Sequence, residues 1–340
     1  MGKRYPEKKP GVRTLAKATG LSVATISRVL NKSQSVTGET RDRVLKAMQE
    51  IGYTPNASAR ALATKRTRTI GAVVPTLAHS IFARFLNAVE QELALNGYGL
   101  VIATTGHDLQ VEEQRARELL DLGAEGLIFS GADHTDGLFK WLKTTGIPAV
   151  CTSVSQGRAG LPAIGYNNTN IGLTSVRYLL SLGHRHISVI HGPKDTNDRT
   201  RMRLAGVQSA GIGKDAKIEF FETSLDVEGG SRAAQDILKT RAQPSAIFCL
   251  SDILALGVLF EAGRQNIAIP EQLSLMGCDD LDWSAHSAPP LTTLKLPTAR
   301  MGQEAARSLV DFLEHARTIK TIELGASVLE RQSTAHFRKK

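Results

Sequence analysis

The chain has 340 residues, 41% of them hydrophobic and 5% aromatic, with a formal net charge of +9. That length allows more than one domain and a sizeable core, and no apolar run reaches the ~18 residues that a membrane helix needs. The charge is uneven: residues 1–68 hold 15 Lys or Arg against 4 Asp or Glu, net +11, whereas residues 69–340 hold 27 against 29 and are slightly acidic. A basic first fifth on a near-neutral body points to a polyanion as partner of the N-terminal part alone. The opening Met-Gly-Lys-Arg-Tyr-Pro lacks the apolar stretch of a secretory signal, so a cytoplasmic location without membrane contact is expected. Cys151, Cys249 and Cys278 are isolated in apolar, strand-like runs with no CxxC spacing; buried reduced thiols are expected, not disulfides or zinc.

Residues 1–11 form a basic, Pro-containing arm. From Val12 to Asn31 two short helical runs flank Gly20, where a positive φ costs nothing, and Ser22 is placed to N-cap the second. This is a helix-turn-helix pattern, weak evidence for DNA binding when it stands alone. Burying Ile26, Val29 and Leu30 leaves Val23, Ala24, Thr25, Ser27 and Arg28 facing outward in part. Small residues in the first turn let a helix approach a major groove closely. Val23 and Ala24 suit thymine methyl groups, Arg28 suits a guanine edge, and Ser22, Thr25, Ser27 and Asn31 suit phosphate oxygens. Thr14, Thr37, Asn56, Ala59 and Leu62 complete the candidate DNA contacts. A third helix is expected from Gly38 to Ile51, capped by Thr37 and stopped by Gly52, with Val44, Leu45, Met48 and Ile51 closing a three-helix core. The DNA-binding domain thus spans residues 12–55. Residues 56–68 read as a linker whose Ala-rich start could form a helix of two turns, too short to stand alone in water.

From Thr69 onward apolar strand-like runs alternate with helical segments. About nine strands are expected, near Ile70–Val74, Tyr98–Thr104, Gly126–Ser130, Pro148–Thr152, Ala163–Tyr166, Ile187–His191, Ile218–Glu222, Ala246–Leu250 and Leu273–Cys278. The clearest helices between them are Ile81–Asn96, Val111–Leu122, Ile171–Leu182, Ala234–Lys239, Ile253–Gln265 and Met301–Ala316. Continuous apolar strands separated by helices imply parallel sheets covered on both faces, here as two open α/β subdomains with ligands at the carboxyl ends of the strands.

Several motifs carry a family resemblance over residues 12 to 335. Arg13 to Asn31, Val36-Thr37, Ile51-Gly52-Tyr53-Thr54-Pro55-Asn56 and Ala59-Arg60-Ala61-Leu62-Ala63 resemble the N-terminal module of the LacI/GalR family of bacterial repressors. Leu182-Gly183-His184-Arg185-His186-Ile187, Arg203-Leu204-Ala205-Gly206, Gly277-Cys278-Asp279-Asp280 and Pro289-Pro290-Leu291-Thr292-Thr293 resemble stretches of that family's body. The resemblance implies an N-terminal all-α helix-turn-helix headpiece with a hinge helix, then an α/β periplasmic-binding-protein-like body of two doubly wound parallel-sheet subdomains. It implies three crossings between them, placed near residues 166, 293 and 325. Subdomain one then covers residues 69–166 and 294–324, subdomain two residues 167–293 and 325–335, and a basic tail residues 336–340. It also implies a homodimer on a near-palindromic double-stranded operator, with Leu62 as a minor-groove wedge, and a small-molecule effector between the subdomains. The helix near Ile81–Asn96, with Phe82, Phe85, Leu86, Val89 and Leu93 on one side, is the expected dimer surface.

Candidate effector contacts are His79, Phe82, Ser153, Asn197, Arg199, Arg203, Ser251 and Asp279, with Trp283 a weaker one. Arg203 stands where the family places its effector-binding arginine, and Arg199 shares its helix face. Two guanidiniums on one face suit a carboxylate or phosphate, so a sugar acid or sugar phosphate is expected, with a neutral sugar as alternative and Asp198 as a competing partner for Arg199. Asp198 and Asp252 are read as helix caps. Ser251 replaces the family's usual Asn. His184 and His186 form an HxH pair without a third ligand, so no metal or other cofactor is expected. The chain shows no P-loop, GxSxG or HExxH, which argues against an enzyme. A solute-binding protein would share the body but need an export signal and no basic headpiece. The expected function is a transcriptional regulator, read as a repressor of a carbohydrate or sugar-acid operon; activator and corepressor-dependent modes stay open.

Overall fold

The computed structural model describes residues 10–30, 35–54, 61–62, 64–158, 160–212 and 215–338. It divides into two compact units, Met1–Thr67 and Arg68–Lys340. Asn31, Asn56 and Ala59 and nearly all of the N-terminal arm lie outside the described residues.

In the first unit, α1 (Val12–Thr19), α2 (Val23–Leu30) and α3 (Gly38–Glu50) enclose Leu15, Ile26, Val29, Val44 and Ala47. Gly20 takes φ +65° and its N–H returns to the Ala16 carbonyl, ending α1 in the left-handed conformation that glycine permits. Ser22 Oγ accepts the Thr25 N–H at 3.1 Å and Thr37 Oγ1 accepts the Thr40 N–H at 3.4 Å, so both expected caps form. Leu45 is 46% exposed, contrary to its expected core place. Val44, Ala47, Met48 and Ile51 make the inward stripe, and Leu45, one residue round from Val44, falls off it.

The second unit contains two six-stranded sheets. The first is built from β1 (Thr69–Val74), β2 (Gly99–Thr104), β3 (Gly126–Ser130), β4 (Ala149–Thr152), β5 (Ala163–Gly165) and β11 (Ile322–Glu323), in the order β11-β5-β4-β3-β1-β2. The second uses β6 (His186–His191), β7 (Lys217–Glu222), β8 (Ala246–Cys249), β9 (Ser274–Asp279), β10 (Thr292–Lys295) and β12 (Ser327–Leu329), in the matching order β12-β10-β9-β8-β6-β7. Every pairing is parallel except β12 on β10. The chain passes between sheets after β5, after β10 and between β11 and β12. The second passage follows Lys295, since β10 runs on two residues past Thr293. Strands β10, β11 and β12 exceed the nine expected; each is short, and two belong to the crossovers themselves.

The helices are α4 (Ser80–Leu95), α5 (Leu109–Asp121), α6 (Asp136–Thr145), α7 (Asn168–Ser181), α8 (Asp198–Gly211), α9 (Val227–Leu238), α10 (Asp252–Arg264) and α11 (Thr298–His315), with a 3₁₀ turn at Asp282–Ala285. Helix α9 starts seven residues before its expected beginning. Asp226 caps it through the Gly229 N–H at 2.6 Å, and the Gly229-Gly230 pair that reads as a break is a packing requirement: a Cβ on Gly230 would lie 2.2 Å from the Leu254 carbonyl of α10. The apolar side of α4 is not a dimer surface. Phe85, Leu86, Val89 and Leu93 are buried in the chain's own core with Met301, Ala305 and Leu309 of α11. A face already covered by its own chain has no apolar area left for a partner. No helix among the described residues is long and apolar enough to cross a membrane.

Candidate functional site

On the first unit, α2 exposes Ser22, Val23, Ala24, Ser27 and Arg28, with Val23 45% accessible and Thr25 half-buried. Thr14 and Thr37 are exposed on neighbouring elements, Thr14 Oγ1 accepting the Gly11 N–H at 3.3 Å. The same helix that anchors Ile26 and Val29 inside therefore offers a strip of two small apolar residues, hydroxyls and one guanidinium outside. Ala61 and Leu62 are helical, and Leu62 is 84% exposed, an unusual place for a leucine that has no partner surface.

In the body, the carboxyl ends of strands from both sheets converge on one cleft with about 800 Å³ of empty space, its open mouth included. All eight residues named from the sequence line it: His79, Phe82 and Ser153 from the first subdomain, and Asn197, Arg199, Arg203, Ser251 and Asp279 from the second. Reading the sequence missed His107, three residues past the end of β2, and Tyr166, which directly follows β5; a place just after a strand is the only signal either offered. Ile81, Leu225, Leu250, Ile253 and Leu281 make the rest of the wall apolar. Trp283 instead packs against the second subdomain's core.

Arg203 is the buried cation of the cleft. Its Nε donates to Asn168 Oδ1 at 3.0 Å and one Nη1 hydrogen to the Leu250 carbonyl at 2.7 Å. Asn168 Nδ2 in turn donates to the Ser153 carbonyl at 2.8 Å, across the first crossing. The helix that carries Asn168 is capped by Asn167, through the Asn170 N–H. Arg203 is held rigidly because α7 and α8 touch backbone to backbone: a Cβ on Gly172 would lie 1.9 Å from the Arg203 carbonyl, and one on Gly206 1.9 Å from the Thr169 carbonyl.

Asp279 faces Arg203 and accepts the Ser251 hydroxyl at 2.7 Å. Burial pushes its carboxyl up to about 7, against the favourable charge of Arg203, and Asp252 adds repulsion. Its φ of +132° is a conformation that L residues rarely adopt. Asp252 is not a cap. Fully buried, it accepts from Leu281 N at 2.9 Å, Ser284 Oγ at 2.6 Å and Thr293 Oγ1 at 2.6 Å. The N-cap position of α10 belongs to Ser251, whose hydroxyl is spent on Asp279. Asp198 is likewise displaced by Asn197, whose side chain accepts the Thr200 N–H at 3.4 Å. Arg199 pairs with Asp198 at 3.0 Å and donates to the Ser130 carbonyl at 2.9 Å. The two arginines therefore do not form a free double fork. At the mouth, burial lowers the pKa of both His79 and His107, and Arg199 lowers that of His107 further.

His184 bonds Ser245 and the Ala335 carbonyl, while His186 bonds Glu219, so the HxH pair diverges into separate structural roles. Among the described residues no group of three His, Cys, Asp or Glu could hold a metal ion. The three cysteines are free and buried.

The comparisons with known proteins fit this layout. Residues 13–56 match the profile of the bacterial regulatory proteins of the lacI family, and residues 176–334 that of a periplasmic binding protein-like domain. The chain is 31% identical over 332 residues to the HTH-type transcriptional repressor PurR of Klebsiella pneumoniae, covering 95% of this chain and 96% of that one. A lacI-family transcriptional regulator from Silicibacter pomeroyi superposes with a TM-score of 0.83 at 26% identity, covering 96% of this chain and 99% of the other. The lac repressor dimer bound to operator and an anti-inducer shares the fold, with a TM-score of 0.84 at 24% identity over 96% of this chain and all of the other. With a helix-turn-helix unit and a two-sheet cleft body matched along nearly its whole length, the chain belongs to the lacI family of bacterial regulatory proteins and is a DNA-binding transcriptional repressor.

Proposed function

We propose that the chain acts as a homodimer on a near-palindromic operator, α2 entering the major groove of each half-site, and that a small polar effector in the cleft sets operator affinity. The outward strip on α2 supports the first part: Val23 and Ala24 are small enough for thymine methyl contact and Arg28 is long enough for a guanine edge. The exposed Leu62 supports a minor-groove wedge between half-sites.

The observation that carries the effector reading is the single buried guanidinium of Arg203 opposite Asp279. A donor fork facing a carboxyl, between apolar walls, suits a ring-sized ligand bearing both acceptors and hydroxyl or N–H donors. Because Asp198 neutralises Arg199, one anionic group at most is matched, which favours a sugar or sugar acid over a sugar phosphate. A second reading, a nucleobase, is favoured by the resemblance to PurR repressors. A thermal-shift screen of the full chain against neutral sugars, sugar acids, sugar phosphates and nucleobases separates these, since ligand raises apparent stability by mass action. A sugar or sugar-acid hit that Arg203→Ala abolishes supports the reading; a hit confined to nucleobases replaces it; a hit that survives Arg203→Ala discards the assigned pose. The hit then enters operator titrations, where release marks an inducer and tightening a corepressor, the ligand and DNA affinities changing by the same factor.

A further inference from the structure

We propose that the start of α8 is a latch that ties the two subdomains together across the cleft, and that Arg199 serves closure, not ligand recognition. Three contacts join this turn of the second subdomain to the loop after β3 of the first. Asp198 Oδ2 accepts the Ala132 N–H at 2.6 Å, Arg199 Nη1 donates to the Ser130 carbonyl at 2.9 Å, and Arg201 forms an ion pair with Asp133. The first two are shielded from water: the Asp198 side chain is 3% exposed and the Arg199 side chain 12%. Charge-assisted bonds in such surroundings are the strong ones. Gly131 is shaped for them. Its φ is +97°, and a Cβ there would lie 2.1 Å from Arg199 Nη1 and 2.9 Å from Asp198 Oδ1.

The other rim is closed differently. Arg84 donates to the Asp280 carbonyl at 2.8 Å and pairs with Asp282 at 2.6 Å, but the Asp282 side chain is 99% exposed. An exposed pair of this kind contributes little. Closure therefore rests mainly on the α8 side, and the subdomains would part first at the Arg84 rim. The latch regulates the cleft that is read above as the effector site, and its bearing on ligand rests on that reading; the closure itself does not.

The test uses no ligand. Lys140 on α6 and Gln208 on α8 are exposed and lie on different subdomains, and the native cysteines are buried, so Lys140→Cys and Gln208→Cys take spin labels selectively. The labelled full chain is diluted with unlabelled protein so that only distances within one chain are read. The parent is expected to give one short distance. Asp198→Ala and Arg199→Ala are each expected to move the distribution to longer distances, and Arg84→Ala to move it less. Arg199→Ala keeps the test decisive should Asp198→Ala fail to fold. Distributions for Arg199→Ala that superpose on the parent overturn the latch. So does a parent that is already open. A ligand screen without hits leaves the latch standing, and an open parent leaves the effector reading standing.

Discussion

The two subdomains share one strand order but not one way of being built. In the second, each helix pair is locked by reciprocal glycines: Gly172 and Gly206 bring α7 onto α8, and Gly230 and Gly257 bring α9 onto α10, with added Cβ atoms falling 1.9–2.2 Å from facing carbonyls. In the first, α4 and α11 meet at Gly302, where a Cβ would lie 2.7 Å from the Phe85 carbonyl, 3.1 Å from the Ala88 methyl and 3.2 Å from the Val89 nitrogen, a looser approach. The charge that lines the cleft is divided the same way: Arg199, Arg203 and Asp279 belong to the second subdomain, while the first contributes imidazoles, Phe82, Ser153 and Tyr166. The second subdomain is thus the more tightly packed of the two and carries the charged side chains of the cleft.

That contrast can be broken with one methyl group. Gly206→Ala places carbon where the Thr169 carbonyl sits, and neither backbone can yield without separating the helices. Overpacking that side chains can absorb costs about 1–3 kcal/mol; here two packed backbones must separate, which exceeds that range, so the largest loss of Tm is expected here. Gly302→Ala, at its looser contact, is expected to cost less than half as much. Thermal unfolding of the two variants beside the parent measures both, and equal losses would remove the claimed difference between subdomains.

The buried carboxylate behind the cleft comes next. Asp252→Ala leaves the Leu281 N–H and the Ser284 and Thr293 hydroxyls without their acceptor. Each buried donor left unsatisfied costs about 1–3 kcal/mol, partly offset because burial already penalises the Asp252 charge and raises its pKa. A net loss of about 2–4 kcal/mol is expected in denaturant titration. The first subdomain's own buried polar pair, His134 Nδ1 to Glu112 Oε2 at 2.6 Å, offers the counterpart. Glu112→Ala strands one group where Asp252→Ala strands three, and is expected to cost less.

Much of this layout was legible beforehand because it rests on local chemistry. Alternating apolar runs and helical periods located nine strands, and the cleft residues follow strand ends, where open sheets place their ligands. What stayed hidden depended on partners distant in sequence. Asp198 and Asp252 look like caps because they stand at helix starts, and only the Ala132 N–H and the Ser284 and Thr293 hydroxyls, 32 to 66 residues away, redirect them. Leu93 and Val89 look like an interface until α11, more than 200 residues on, covers them.

A dependence on pH tests whether the second subdomain carries strain at Asp279. Its folded pKa, about 7, lies above the ordinary value of 3.8, so the native chain holds this proton more tightly than the unfolded one. The stabilisation is complete below about pH 4 and is lost as pH rises through 7. Asp279→Asn preserves an acceptor for the Ser251 hydroxyl, tolerates the positive φ, and has no charge to lose. Parent and variant should therefore approach each other only near or below pH 4, and the variant's lead in Tm should grow steadily from pH 5 to pH 8, at roughly 2–4 °C per kcal/mol for a chain of this size. His79 and His107 shift in both proteins and cancel in the difference between the two melting curves, whereas Asp252, which repels Asp279, responds with it, so the difference reads the carboxyl pair. A difference that does not change from pH 5 to pH 8 would mean that Asp279 is ionised throughout, paired to Arg203 closely enough to cancel its burial. The cleft would then present no spare charge to a ligand, and the effector to seek would be a neutral one.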